Sequence, residues 1–351
     1  MPTHSTDVKP ISSSLYGIVL AARDDRGLAK FIRKLRGDDL PKPFVSFIGK
    51  RSMLEHTLAR AEKLIAPDRL FLSVSREQMK RLEVRRQISA RERGTVIVQP
   101  EDKGSLPEVM LPLLHIYRRD PLATVVLLPA DHFVFEESRF VSYLYLASRT
   151  VERSPASLLL LGIKPEAAEA DYGYILPAGA PDKLRGFGVE RVASFVENPS
   201  KAALPELLER GALWNTMAIV FKAFTLFDLT ARLMPSLHTA FESLGRALVG
   251  KRERQAVVDV YKEIESYDFS ADLLEQLPGK RPDSLLTLPV EGVLWSDWRS
   301  PQTLVSALTR SGYLARANDV PERRLFALWA SQESLRKRST RRKSAPTLRL
   351  G

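Results

Sequence analysis

Two aspartates far apart in the chain, Asp131 in "VVLLPADHFV" and Asp297 in "GVLWSDWRSP", each follow an apolar run. A carboxylate just past a buried strand stands where α/β sheets bind ligands. Two such oxygen donors suit Mg²⁺, which takes its remaining ligands from water and phosphate. Asp131 has a plainer reading as the cap of the following turn. Lys42 sits in "LPKPF" between two prolines, which restrain the backbone and aim one flexible cation from a loop. Such a lysine can neutralise charge on a transferring phosphoryl group, or remain a solvated surface charge. His132 has no second histidine at metal-ligand spacing and is expected to pack; Trp295 and Trp298 bracket Asp297 and are expected in the core.

The elements that must position these groups are legible as apolar runs: "YGIVL" (16–20), "RLFLSV" (69–74), "GTVIVQ" (94–99), "ATVVLLPA" (123–130) and "SLLLLGI" (157–163). Between them, "SMLEHTLARAEKLI" and "SLPEVMLPLLHIYRR" repeat apolar residues at three- and four-residue steps. Strands buried on both faces and joined by helices predict a parallel α/β sheet. Downstream, 172–179 and 191–199 predict antiparallel strands with turns, and 213–233 passes from strand into helix, which suggests a second lobe. The loop after the first run, "AARDDRGL", carries charged residues and one glycine where a phosphate-binding turn would be glycine-rich. "QPEDKGS" (99–105) is a second loop able to reach a nucleotide.

At 351 residues and 44% hydrophobic, the chain can bury a sizeable core. It contains no cysteine, which excludes disulfides and thiolate metal sites. No run approaches a membrane span, and the first ten residues carry no apolar leader, so a cytoplasmic location is expected. The formal charge of +11 would suit nucleic acid, but residues 336–351 hold seven Lys/Arg and no acid, leaving +4 for the rest. That tail is expected to be disordered, as a solubilising extension or a contact for an acidic partner, RNA or a membrane surface.

Taken in order, "GDDLPKPFVSFIGKRSMLEHTLAR", "QPEDKGSLPEVMLPLL", "VVLLPADHFV", "LLGIKPEAAEADYGYI", "VASFVENPSKA", "GALWNTMAIVFKA", "YDFSADLLE" and "LTLPVEGVLWSDW" resemble the sugar-1-phosphate nucleotidyltransferases, most closely the mannose-1-phosphate guanylyltransferase branch. The resemblance covers roughly residues 15 to 312. It implies a nucleotide-diphospho-sugar transferase (GT-A-like) fold, a Rossmann-like mixed sheet with helices on both faces and a sugar-binding lobe. The domain is expected over 15–312, with a flexible N-terminus (1–14), a helical extension (313–335) and the basic tail. It also implies GTP and mannose 1-phosphate as substrates and Mg²⁺ as cofactor, and it leaves a homodimer open. By position, Asp131 and Asp297 would hold the metal, Lys42 would meet the triphosphate, Gln99 would lie near the base, and Gly173, Glu197 and Asn215 would line the sugar-phosphate side.

The chain departs from the family where phosphates bind. The family loop reads approximately Ala-Gly-Gly-x-Gly-Thr-Arg-Leu; here residues 21–28 read Ala-Ala-Arg-Asp-Asp-Arg-Gly-Leu, so Ala22, Arg23 and Asp25 replace the glycines and Arg23 or Arg26 stands in for the arginine. The family's Glu-Lys-Pro appears as Glu197-Asn198-Pro199, and Arg299 replaces the glycine after Asp297-Trp298. Two readings follow: an active transferase with an altered loop, or a catalytically silent homologue that binds a nucleotide sugar or a partner protein.

Overall fold

The structure is a computed structural model that describes residues 15–313 apart from 24–25, 182–183, 185 and 249–252; the side chain of Arg26 also lies outside the description. The expected flexible N-terminus, the helical extension beyond 313 and the basic tail fall outside these residues. The described chain forms two compact units. The larger takes in residues up to Arg23, His56–Ala130 and Glu136–Val293; the smaller takes in Asp24–Glu55, Asp131–Phe135 and the residues from Leu294 onward.

In the larger unit, β1 (Leu15–Leu20), β2 (Leu70–Ser75) and β4 (Thr124–Pro129) are buried at every position but the last. That is the pattern of strands covered on both faces. With β3 (Val96–Gln99) they form a parallel set in the order β3-β2-β1-β4. The sheet continues through β9 (Leu213–Lys222), β6 (Leu158–Ile163), β10 (Leu285–Val290), β8 (Glu190–Val196) and β7 (Tyr174–Pro177) to nine strands. β9 runs antiparallel to both β4 and β6, so the five apolar runs predicted as strands all point one way. β9, the run from which a second lobe was expected to begin, lies inside this sheet, and the antiparallel strands β7 and β8 extend it. The cause is the length of β9: Trp214 pairs with Ile163 of β6 and with Tyr174 of β7, so one strand holds both neighbours.

Helix α4 (Ser105–Arg119) packs on β1, β2 and β3, and α5 (Glu137–Arg153) packs on β4, β6, β9 and β10. The core of this unit gathers Ile18, Phe71, Val109, Leu127, Leu160 and Phe221. Each such side chain contributes about 1.5–3 kcal/mol by leaving water. Among the described residues no helix is long and apolar enough to cross a membrane.

In the smaller unit, α1 (Ala29–Arg36) stops at Gly37, whose φ of 86° lets its N–H close on the Arg33 carbonyl. A 3₁₀ turn, Lys42–Phe44, follows Pro41. β5 (Phe133–Val134) and β11 (Trp295–Ser296) pair antiparallel, with Ser296 opposite Phe133. Trp298 is fully buried, stacked on Phe133 at 4.8 Å and edge-on to Phe47 at 5.5 Å. The helix that follows, Pro301–Arg310, begins with a Ser300–Thr303 capping box, which stops the chain from fraying beside Asp297.

Candidate active site

The β5–β11 ribbon brings Asp131 and Asp297 into one cluster. Each residue flanks the ribbon, Asp131 two positions before Phe133 and Asp297 directly after Ser296. β4 and β10, the apolar runs that precede the two acids, run the same way in the main sheet, and the ribbon pairs the segments that follow them. Lys42 joins the two acids. Its ammonium stands 2.8 Å from Asp131 Oδ2 and donates to the Asp297 carbonyl oxygen. Lys42 is 1% exposed, so this is a buried lysine held by two acceptors and not a solvated surface charge. Arg299, the residue in place of the family glycine, donates through Nε to Asp297 Oδ2.

Burial would push the Asp131 carboxyl up, but Lys42, with a smaller contribution from His132, outweighs it and holds the group below the usual carboxylate range. His132 packs edge-on to Trp295 at 5.1 Å, and both tryptophans are in the core, as expected. The donor set fits a hard divalent cation, since both acids offer oxygen. Among the described residues there is no group of three or more His, Asp or Glu for a closed protein cage, and magnesium requires none.

The altered loop after β1 is held from two sides within the larger unit. Gln78 Nε2 donates to the carbonyls of Ala21 at 2.7 Å and Ala22 at 3.2 Å. The Ala22 N–H donates to Glu108 Oε1 at 3.0 Å. Arg23 pairs with Asp268 at 3.4 Å, and Asp268 in turn accepts from Ser105 and from the N–H groups of Ser270 and Ala271. Ser105 opens α4, and Gly104 before it must be glycine: its φ is +88°, and a Cβ there would meet the Tyr267 carbonyl at 2.2 Å. Gln99 is 3% exposed, its amide satisfied by Ser73 and by the Tyr261 hydroxyl.

Gly173, Glu197 and Asn215 come together. Asn215 donates its N–H to the Gly173 carbonyl at 2.8 Å, and a Cβ on Gly173 would meet Glu197 Oε2 at 2.5 Å. Asn198 is exposed with φ 48°, a left-handed conformation that asparagine tolerates better than lysine. Sequence reasoning missed Glu108. It lies in the first turn of α4, is 4% exposed, and has its carboxyl pushed up to about 7, by burial first and against the pull of the Ala22 N–H and Arg23. A lone acid inside the apolar stretch "SLPEVMLPLL" was the available signal.

The larger unit is thus a nine-stranded mixed α/β sheet with helices packed on it. Residues 37–304 match the nucleotidyl transferase family, and the chain belongs to it. It is 28% identical over 222 residues to the xanthan biosynthesis protein XanB of Xanthomonas campestris pv. campestris (strain B100), covering 62% of this chain and 45% of that protein. It is 24% identical over 286 residues to mannose-1-phosphate guanylyltransferase 2 of Escherichia coli O157:H7, covering 79% of this chain and 58% of that protein. The crystal structure described as mannose-1-phosphate geranyltransferase from Thermus thermophilus superposes with a TM-score of 0.70 at 25% identity, over 84% of this chain and 79% of that one. The chain spans about half the length of the curated relatives it matches.

Proposed function

We propose that this protein transfers a nucleoside monophosphate, GMP from GTP, to a sugar 1-phosphate, mannose 1-phosphate, releasing pyrophosphate. The observation that carries this reading is Lys42, a buried ammonium held between Asp131 and the Asp297 carbonyl. In the reaction an oxygen of the sugar 1-phosphate attacks the α-phosphorus and pyrophosphate leaves, a step that depends on positioning and charge neutralisation. Lys42 is pre-positioned by its two acceptors and supplies positive charge toward the transferring phosphoryl group. Asp131, its carboxyl held low, stays ionised at neutral pH. Asp131 and Asp297 are the residues that would hold magnesium, which when bound offsets triphosphate charge. Gly173 leaves the space in which Glu197 approaches Asn215, and these two would face the sugar phosphate. The cytoplasm, where nucleoside triphosphates are made, is the compartment this reading requires.

The second reading, a catalytically silent nucleotide-sugar-binding homologue, is favoured by one observation. The Ala22 N–H and the Arg23 guanidinium, both assigned by the family resemblance to phosphates, are bonded to Glu108 and Asp268. Pyrophosphate release measured over a matrix of nucleoside triphosphates and sugar 1-phosphates with Mg²⁺ separates the two. Release above background in the GTP and mannose 1-phosphate well, abolished by Lys42→Met, supports the transferase; no release in any well supports the silent homologue.

A further inference from the structure

Glu108 is a buried carboxylate with no role in the reaction proposed above. Its Oε1 accepts the Ala22 N–H at 3.0 Å, and its backbone sits in the first turn of α4, the turn that Gly104 and Asp268 lock in place. The described groups around it are Ser73 on β2, Gln99 on β3, Asp102 in the loop before α4, Arg23 after β1, and Tyr261 on the helix Glu253–Glu263. Arg23 is the one cation among them, and it is half-exposed and already paired with Asp268. A buried carboxylate so sparsely compensated is costly to keep.

We propose that the Glu108 carboxylate is an internal stand-in for phosphate: it occupies the Ala22 N–H that a triphosphate oxygen would take, so that a polyphosphate must displace it to bind the first loop. This rests on the reading that residues 21–28 meet the triphosphate. Two features of the loop fit it. Gln78 fixes the loop backbone through the carbonyls of Ala21 and Ala22, which leaves the Ala22 N–H directed at Glu108. Each residue of the loop still carries one N–H, but side chains at 22 and 23 restrict approach to the backbone, so an occupied donor is not readily replaced by a neighbour. The gate has a direction with pH. Burial places the Glu108 carboxyl near 7, so below that value it takes up a proton and its charge no longer opposes an incoming anion.

The test uses the full chain and tripolyphosphate, which has neither base nor sugar, with binding read by calorimetry. Glu108→Gln and Glu108→Ala should bind tripolyphosphate about tenfold or more tightly than the parent at pH 8, and that gap should close at pH 6. Equal affinities at pH 8, or a gap unchanged between the two pH values, overturn the proposal. On the unsubstituted protein, the Ala22 amide resonance should move with a midpoint near pH 7 and move again on adding tripolyphosphate. An amide indifferent to both also overturns it, even if neither variant folds. Pyrophosphate release is read in parallel. No release by the parent or the variants, with the variants binding tripolyphosphate more tightly, keeps the gate and sinks the transferase reading. Release by the parent with tripolyphosphate affinity equal across all three proteins does the reverse.

Discussion

Lys42 and Asp131 form a pair whose two halves differ in their access to water: the lysine is 1% exposed and the aspartate side chain 19%. Breaking a fully buried pair costs about 3–5 kcal/mol, and the partial access of Asp131 reduces that. Lys42→Met is expected to lower unfolding stability by about 1–3 kcal/mol at pH 7. The carboxyl of Asp131 is held below its ordinary range in the folded state. Its contribution is therefore fully present above the unfolded pKa of about 4 and is lost as pH falls through the folded value. Urea titrations at pH 7 and at pH 3 should show the gap between parent and variant shrinking on acidification; a gap that widens would remove the pair as its source. Lys42, Asp131 and Asp297 stood out in sequence through the prolines and apolar runs that frame them and through the family resemblance, and the structure brings the three together. Glu108 was not, since nothing in a one-dimensional pattern says that an acid points inward at a loop eighty-six residues away.

At the level of elements, two short strands and one missing side chain set the geometry. The β5–β11 ribbon has only two residues per strand, yet the Phe133–Trp298–Phe47 packing holds it in place. Within the larger unit, Gly173 precedes β7, and a methyl group there would press on Glu197 Oε2 and on Phe195 at 3.0 Å. Gly173→Ala is expected to cost about 1–3 kcal/mol of stability through overpacking. On the transferase reading proposed above, in which Glu197 faces the sugar phosphate, the KM for sugar 1-phosphate should rise several-fold while the KM for triphosphate holds. Steady-state kinetics with each substrate varied in turn checks this. A rise in the triphosphate KM alone would take Glu197 off the sugar side.

For the whole molecule, charge is the property on which sequence speaks most directly. The net charge is +11, and residues 336–351 contribute seven of those positive charges while offering almost nothing apolar to bury. Deleting 336–351 is expected to leave the thermal midpoint within about 2 °C of the parent, since so little apolar sequence is lost. It should also lower the salt concentration needed to elute the protein from a cation exchanger. A fall of about ten degrees would mean that the segment contributes to folding.

The sequence by itself determined that five apolar runs form a one-way α/β set, and which chemical types stand at its strand ends; that the full sheet is mixed and not parallel came from the antiparallel β9, β7 and β8. Apolar runs broken by helical periodicity leave few ways to bury both faces of a strand, and the runs at 16–20, 69–74, 94–99, 123–130 and 157–163 became β1, β2, β3, β4 and β6. It did not determine that β7 and β8 join that sheet, because pairing along β9 is a matter of register between strands far apart in the chain. Nor did it determine who holds the altered loop. That Ala22 donates to Glu108, Arg23 to Asp268, and Lys42 to Asp131 and Asp297 was decided by tertiary structure alone, since hydrogen bonds and ion pairs depend on distances that composition and spacing do not carry.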